Sequence, residues 1–241
     1  MTIGVAALAL SMSVIAAASP PTSAVAGGLY VAIGDSITFG YGLGAPGRDA
    51  FPYLVAQRLG VRVLDLGISG VDARGALAFE TPRVPRSATI ITIFVGTNDA
   101  DRIRRGTFTD AQFRSTYRDL IAAAHAAAPF AQIYLLTPST MLADRWGVTD
   151  FIRSQASASA RLIDLDRDRR LHLRASYQPD FIHPNVAGQR QIAWDVIDGL
   201  RRWNRNEFAP LGQAVMRLPT PSARHEERTP SESQIPHKHS S

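Results

Sequence analysis

The chain has 241 residues, 45% of them apolar and 20% charged, which suits one sizeable folded domain rather than a disordered protein. It contains no cysteine, so disulfides, thiolate zinc sites and cysteine nucleophiles are excluded and apolar burial must supply the stability. The formal net charge of +5 rests on arginines, with Lys238 the only lysine; they are scattered rather than striped, so no nucleic-acid surface is expected. Two local clusters stand out, Arg102/Arg104/Arg105 and Arg167/Arg169/Arg170. Asp166 and Asp168 interrupt the second, as on an ion-paired surface; weak attraction to anionic lipid or cell-wall polysaccharide is the other reading.

Residues 1–26 carry no charged side chain, and Ile3 to Ala18 form an apolar run shorter than the about 20 residues of a membrane span. Ala24-Val25-Ala26 then has the A-x-A pattern of a cleavage site. We expect a signal peptide or N-terminal anchor here, and hence a secreted or cell-envelope location, although no Lys or Arg precedes the run. From Gly28 onward, short apolar runs alternate with longer helical patterns, the signature of a parallel sheet covered by helices. The expected strands are Leu29 to Ile33, Val61 to Leu66, Thr89 to Val95, Gln132 to Thr137 and Arg161 to Leu165. Helices are expected over roughly Asp49 to Leu59, Asp110 to Ala127, Thr149 to Ser159 and Asn185 to Trp203. With right-handed crossovers, five such strands give a three-layer α/β/α sandwich over residues 27–206. From Glu207 the composition turns to Pro, Ser, Glu and His, so 207–241 is expected to be a disordered tail. Its His225, His237 and His239 lack the fixed geometry of a metal site, and no metal or cofactor is expected.

Chemistry-bearing residues recur where these strands end. Ser36 follows the first strand within Gly34-Asp35-Ser36, Gly70 follows the second, Asn98 lies in Gly96-Thr97-Asn98-Asp99 after the third, and Asp180 and His183 come after the fifth. A parallel sheet brings all of these to one edge, the edge at which open α/β sheets bind ligands. His183 is suited to exchange a proton with Ser36 near neutrality, and Asp180, three residues earlier, to orient its ring. The N–H of Ser36, the N–H of Gly70 and the side-chain amide of Asn98 are candidate donors to an oxyanion. Each element has a plainer reading: Gly-Asp-Ser as a turn or cap, Gly70 and Asn98 as turn residues, Asp180 as a brace. Asp35 and Asp99 are read as capping or bracing residues, and His125 and His172 as structural or solvated.

Taken in order, Gly34-Asp35-Ser36-Ile37, the glycine of Gly67-Ile68-Ser69-Gly70, Gly96-Thr97-Asn98-Asp99 and Asp180-x-x-His183-Pro184 resemble the SGNH hydrolases, the GDSL esterase/lipase family. The resemblance runs from about Tyr30 to Trp203. It implies a flavodoxin-like fold of strand order 2-1-3-4-5, a Ser36/Asp180/His183 triad, and an oxyanion hole of Ser36, Gly70 and Asn98. Ile37, where many members have leucine, and Asp65, where some have asparagine, are departures that remove no catalytic group. The first motif looks closest to the secreted lysophospholipase and arylesterase branch. The expected activity is hydrolysis of short- to medium-chain acyl or lysophospholipid-like esters, with Met141, Leu142 and Trp146 read either as an acyl-binding wall or as residues packed on the sheet. Two readings stand beside it: an O-acetyl esterase of cell-wall or plant polysaccharide, and a non-catalytic binding protein on the same fold.

Overall fold

The structure, a computed structural model, describes residues 27–139 and 146–203. The proposed leader, the tail, and Met141 and Leu142 lie outside them. Five parallel strands form one sheet in the order β2-β1-β3-β4-β5: β1 Leu29–Gly34, β2 Arg62–Asp65, β3 Ile90–Phe94, β4 Gln132–Leu136 and β5 Ala160–Ile163. β1 pairs with β2 from Leu29↔Arg62 and with β3 from Tyr30↔Ile90, so the strand order reverses beside it. That reversal opens a crevice at the carboxyl ends of β1 and β3.

Alternation along the strands builds two cores. Val31, Ile33, Ile91, Ile93, Ile133 and Leu135 share one cluster, and Tyr30, Ala32, Ile90, Phe94, Tyr134 and Leu136 share the other. The first is covered by α6 (Asp110–Ala127) and α7 (Val148–Ser154), with the Phe113 and Phe151 rings edge to face at 5.5 Å. The second is covered by α3 (Phe51–Leu59) and α8 (Val186–Trp203). Tyr30 and Thr92, buried in the same layer, satisfy each other's hydroxyls at 2.8 Å. Among the described residues no helix is long and apolar enough to cross a membrane.

α6 begins where its sequence says, because Thr109 and Gln112 form a capping box: the Thr109 hydroxyl accepts from Gln112 N–H, and the Gln112 side chain accepts from Thr109 N–H. α3 stops at Gly60, whose φ of 68° is left-handed. One expectation needs correction. The helix expected over Thr149 to Ser159 ends at Ser154, where the Ser154 hydroxyl caps Phe151 C=O and the chain turns through Ser157 into β5. Gly96-Thr97-Asn98-Asp99 opens α5 (Thr97–Arg104). The β2–β3 crossover, for which no element was expected, carries α4 (Ala73–Gly75), a π turn Ala76–Glu80 and a 3-10 turn Thr81–Arg83. Gly75, Pro82 and Pro85 interrupt any helical period there.

The arginine clusters are largely ion-paired. Arg104 and Arg105 meet Asp101, Arg102 meets Asp72 at 2.9 Å, Arg167 meets Asp164 and Arg170 meets Asp168.

Candidate active site

The nucleophile candidate sits in a turn held on both sides. Asp35 is extended, and its carboxylate accepts from Ile37 N–H at 2.9 Å, capping the four-residue α1 (Ser36–Phe39). Burial pushes the Asp35 carboxyl up to about 7, against the pull of that hydrogen bond. Gly34 is required by space: a Cβ there would lie 2.8 Å from Phe94 C=O and clash with the Thr38 side chain. Gly40, at φ 79°, ends α1 in a conformation that side chains resist. Ser36 is thereby fixed at the carboxyl end of β1 with its side chain largely buried.

The other half of the pair comes from a loop after β5. Tyr177 and Pro184 form an antiparallel bridge, and Gln178 N–H donates to His183 C=O at 2.8 Å, so the segment between them doubles back. Within it, Asp180 Oδ1 accepts from the N–H groups of Ile182 and His183, both at 3.0 Å, while Oδ2 accepts from His183 Nδ1 at 2.6 Å. One carboxylate thus folds the loop and orients the ring, which explains the three-residue spacing. Phe181 takes a φ of 58°, the one left-handed non-glycine among the described residues, and Arg174 stacks over its ring at 4.2 Å. Desolvation draws the Asp180 carboxyl upward, but the hydrogen bonds from the His183 ring and backbone prevail and leave it below the ordinary range.

His183 Nε2 then lies 2.8 Å from Ser36 Oγ across a separation of 147 residues. With the Nδ1 proton directed to Asp180, Nε2 is free to accept the serine proton. Tyr41 packs its ring 4.6 Å from the imidazole, and Gln178 Nε2 donates to Tyr41 C=O at 2.7 Å, tying the histidine loop to the chain beyond α1.

Gly70 and Asn98 are brought together in the same region. Ile68 to Val71 form a turn closed by Val71 N–H to Ile68 C=O, with Gly70 at φ 79° and open space where a side chain would stand. Asn98, in the first turn of α5, spends one amide hydrogen on Val71 C=O at 2.8 Å, keeping the other. It therefore holds the Gly70 loop as well as offering a donor. Asp99, fully buried, accepts from Ala73 N–H, and burial pushes its carboxyl up to about 7. It braces α5 against α4, as a non-catalytic role requires.

Two histidines lie elsewhere: His172 bonds Asp166 C=O, and His125 lines a cavity of about 250 Å³ beside Ala160, at the opposite end of the sheet. Among the described residues no group of three His, Asp or Glu could hold a metal. Sequence reasoning missed Gln189. It is buried in α8, its Nε2 donates to Ile37 C=O and its Oε1 accepts from Phe51 N–H, each at 2.9 Å. A glutamine on the apolar face of an amphipathic helix, three residues before Ile192, was the available signal.

The model of the GDSL-like Lipase/Acylhydrolase family matches residues 32–191. No curated protein matches the chain. Among solved structures, the psychrotrophic esterase EstA from Pseudoalteromonas sp., in a form inhibited by monoethylphosphonate, superposes with a TM-score of 0.60 at 20% identity, covering 74% of this chain and 99% of its own. A G-D-S-L family lipolytic protein from Desulfitobacterium hafniense gives 0.57 at 18% identity over 71% and 98% of the two chains. A family two carbohydrate esterase from Clostridium thermocellum, in complex with cellohexaose, gives 0.55 at 17% identity over 73% and 65%.

Proposed function

Because the chain belongs to the GDSL-like lipase/acylhydrolase family, we propose that it cleaves carboxylic esters through an acyl-enzyme formed on Ser36. The observation that carries this reading is the continuous chain from Ser36 Oγ to His183 Nε2 at 2.8 Å and from His183 Nδ1 to Asp180 at 2.6 Å. His183 takes the Ser36 proton as Oγ attacks the ester carbonyl, and returns it to the departing alkoxide as the carbon–oxygen bond breaks. Water then repeats the sequence on the acyl-serine, releasing acid and serine. Asp180 remains ionised throughout and stabilises the imidazolium, as its lowered proton affinity favours. The N–H groups of Ser36 and Gly70 and the remaining amide hydrogen of Asn98 receive the oxyanion.

For the substrate we favour short- to medium-chain acyl esters or lysophospholipid-like esters. Phe39, Tyr41, Phe181 and Ile182 are all about half exposed, and each lies within the segments that carry Ser36 and His183. An apolar rim of that kind suits an acyl chain better than the hydroxyl-rich surface of an acetylated polysaccharide. Trp146, described and partly exposed, is a further candidate for this wall. The apolar run and A-x-A pattern of residues 1–26 support an exported or envelope-associated enzyme with a leader and a tail flanking the domain.

The test is an ester panel of graded acyl length together with acetylated xylan, assayed with the parent and with Ser36→Ala, and fluorophosphonate labelling of both. Labelling lost with Ser36, together with a preference for short or medium acyl chains, is expected. Undiminished hydrolysis by folded Ser36→Ala would refute the nucleophile. Acetate release from the polymer alone would transfer the enzyme to the polysaccharide class.

A further inference from the structure

Gly34 N–H, two residues before Ser36, has lost its natural partner. On the β2 side of β1 the ladder is regular through Ala32↔Asp65, and Leu66 N–H still reaches Ala32 C=O. Beyond that the chain leaves the sheet toward Gly70, which opens the crevice and ends the supply of β2 carbonyls. Gly34 C=O is met by Ile68 N–H at 3.0 Å, yet the Gly34 N–H on the same side would be an orphan donor in the protein interior. It donates instead to Glu80 Oε2 at 2.7 Å, and Glu80 is fully buried.

We propose that Glu80 is a positioning residue for the nucleophile: its carboxyl stands in for the missing strand and fixes the Gly34–Ser36 turn, so that Ser36 Oγ stays in register with His183. Three observations support this. Glu80 closes the π turn Ala76–Glu80, a rare geometry that shifts side-chain direction relative to an α-helix and so aims this one at β1. On the opposite side of β1, Asp35 N–H reaches Phe94 C=O at a long 3.4 Å, so the Glu80 bond is the shorter of these two N–H contacts at the start of the turn. Third, an acid here is costly, because it is buried near the Asp35 and Asp65 carboxyls, whose repulsion the Arg83 guanidinium counters in part. Burial, reinforced by those two carboxyls, pushes the Glu80 carboxyl up to about 8, so near neutrality it acts as a mostly uncharged acceptor. Glu80 Oε2 holds Gly34 N–H while Oε1 has no hydrogen-bond partner among the described residues, so the bond to β1 is what this carboxyl contributes.

The proposal rests on the reading of Ser36 as nucleophile, so Ser36→Ala is run in parallel. Glu80→Gln keeps reach and a carbonyl acceptor; Glu80→Asp keeps the acid but withdraws it by one methylene. On a soluble aryl ester, Glu80→Gln is expected to hold kcat within threefold of the parent, and Glu80→Asp to lose tenfold or more in kcat with KM within twofold. Full kcat in folded Glu80→Asp, an equal loss in Glu80→Gln, or a loss confined to KM would overturn the role. Should Glu80→Asp not fold, the Gly34 amide resonance decides: it should shift with pH in the parent along a titration that Glu80→Gln abolishes, and an identical response in both proteins would overturn the contact. Activity surviving in Ser36→Ala would instead remove the underlying reading.

Discussion

Replacing Gln189 by leucine tests whether the nucleophile turn is held by the last helix. The side chains are similar in size, so the main effect is the loss of two hydrogen bonds that join α8 to α1 and α3. Phe51 N–H opens α3 and has no intrahelical acceptor, so it would be left unpaired in the interior at a cost of about 1–3 kcal/mol. Ile37 C=O keeps its bond from Gly40 N–H and loses about 0.5–1.5 kcal/mol. The sum, about 1.5–4.5 kcal/mol, corresponds to a fall in Tm of roughly 3–18 °C for a domain of this size. Gln189→Glu refines the test. Its carboxylate accepts from Phe51 N–H but donates to Ile37 C=O only when protonated, and burial raises its proton affinity in the fold above that in the unfolded chain. Its stability is therefore present below the unfolded carboxyl range and lost as pH rises through the folded value. The Tm gap to the parent should be small near pH 4 and widest near pH 8, followed by thermal circular dichroism. A Gln189→Leu protein within 2 °C of the parent, or a Gln189→Glu gap that ignores pH, would refute the reasoning.

Asp180→Asn should keep the loop, since the amide oxygen still accepts from the backbone, while kcat falls on the order of 10³–10⁴ because the ring is no longer held in the productive tautomer; stopped assays at equal folded concentration check this. Asn98→Ala is expected to lower kcat by about 10²–10³ and to accelerate amide exchange at Val71, since it removes both the proposed oxyanion donor and the tie at 2.8 Å. Asp35 and Asp99, each pushed up to about 7 by burial, and Glu80, up to about 8, have folded values above their unfolded ones. Their stabilising contribution is complete below the ordinary carboxylate range and declines as pH rises toward 8, where each tenfold difference in proton affinity is worth about 1.4 kcal/mol. Tm should therefore be several degrees higher at pH 5 than at pH 9, and a flat profile would contradict the burial of these groups.

What was legible in the sequence follows from the range of the forces involved. The strands announce themselves because a sheet covered on both faces needs unbroken apolar runs, and α6 because Thr109 and Gln112 cap it locally. Ser36, His183 and Asp180 were readable because each follows a strand, and a parallel sheet sends every such position to one edge. The short turns between Val71 and Arg83 left no periodic trace. Neither did the left-handed Phe181: no local rule places an aromatic there, and it sits where the Asp180 carboxylate takes the N–H groups of Ile182 and His183 just beyond it. Gln189 and Glu80 were missed for a common reason. Each serves a backbone group of a distant segment, 138 residues away for Phe51 and 46 for Gly34, and only the assembled sheet shows which peptide lacks a partner.

The bond between Ser36 and His183 spans most of the domain, and the glutamine that steadies it spans slightly more. Such contacts form late, since a chain must close its largest loops before they repay the entropy. Nascent or partly assembled protein would thus carry an ordinary, unreactive serine. Onset of turnover during refolding should coincide with docking of α8, so catalysis itself reports when the final element has arrived.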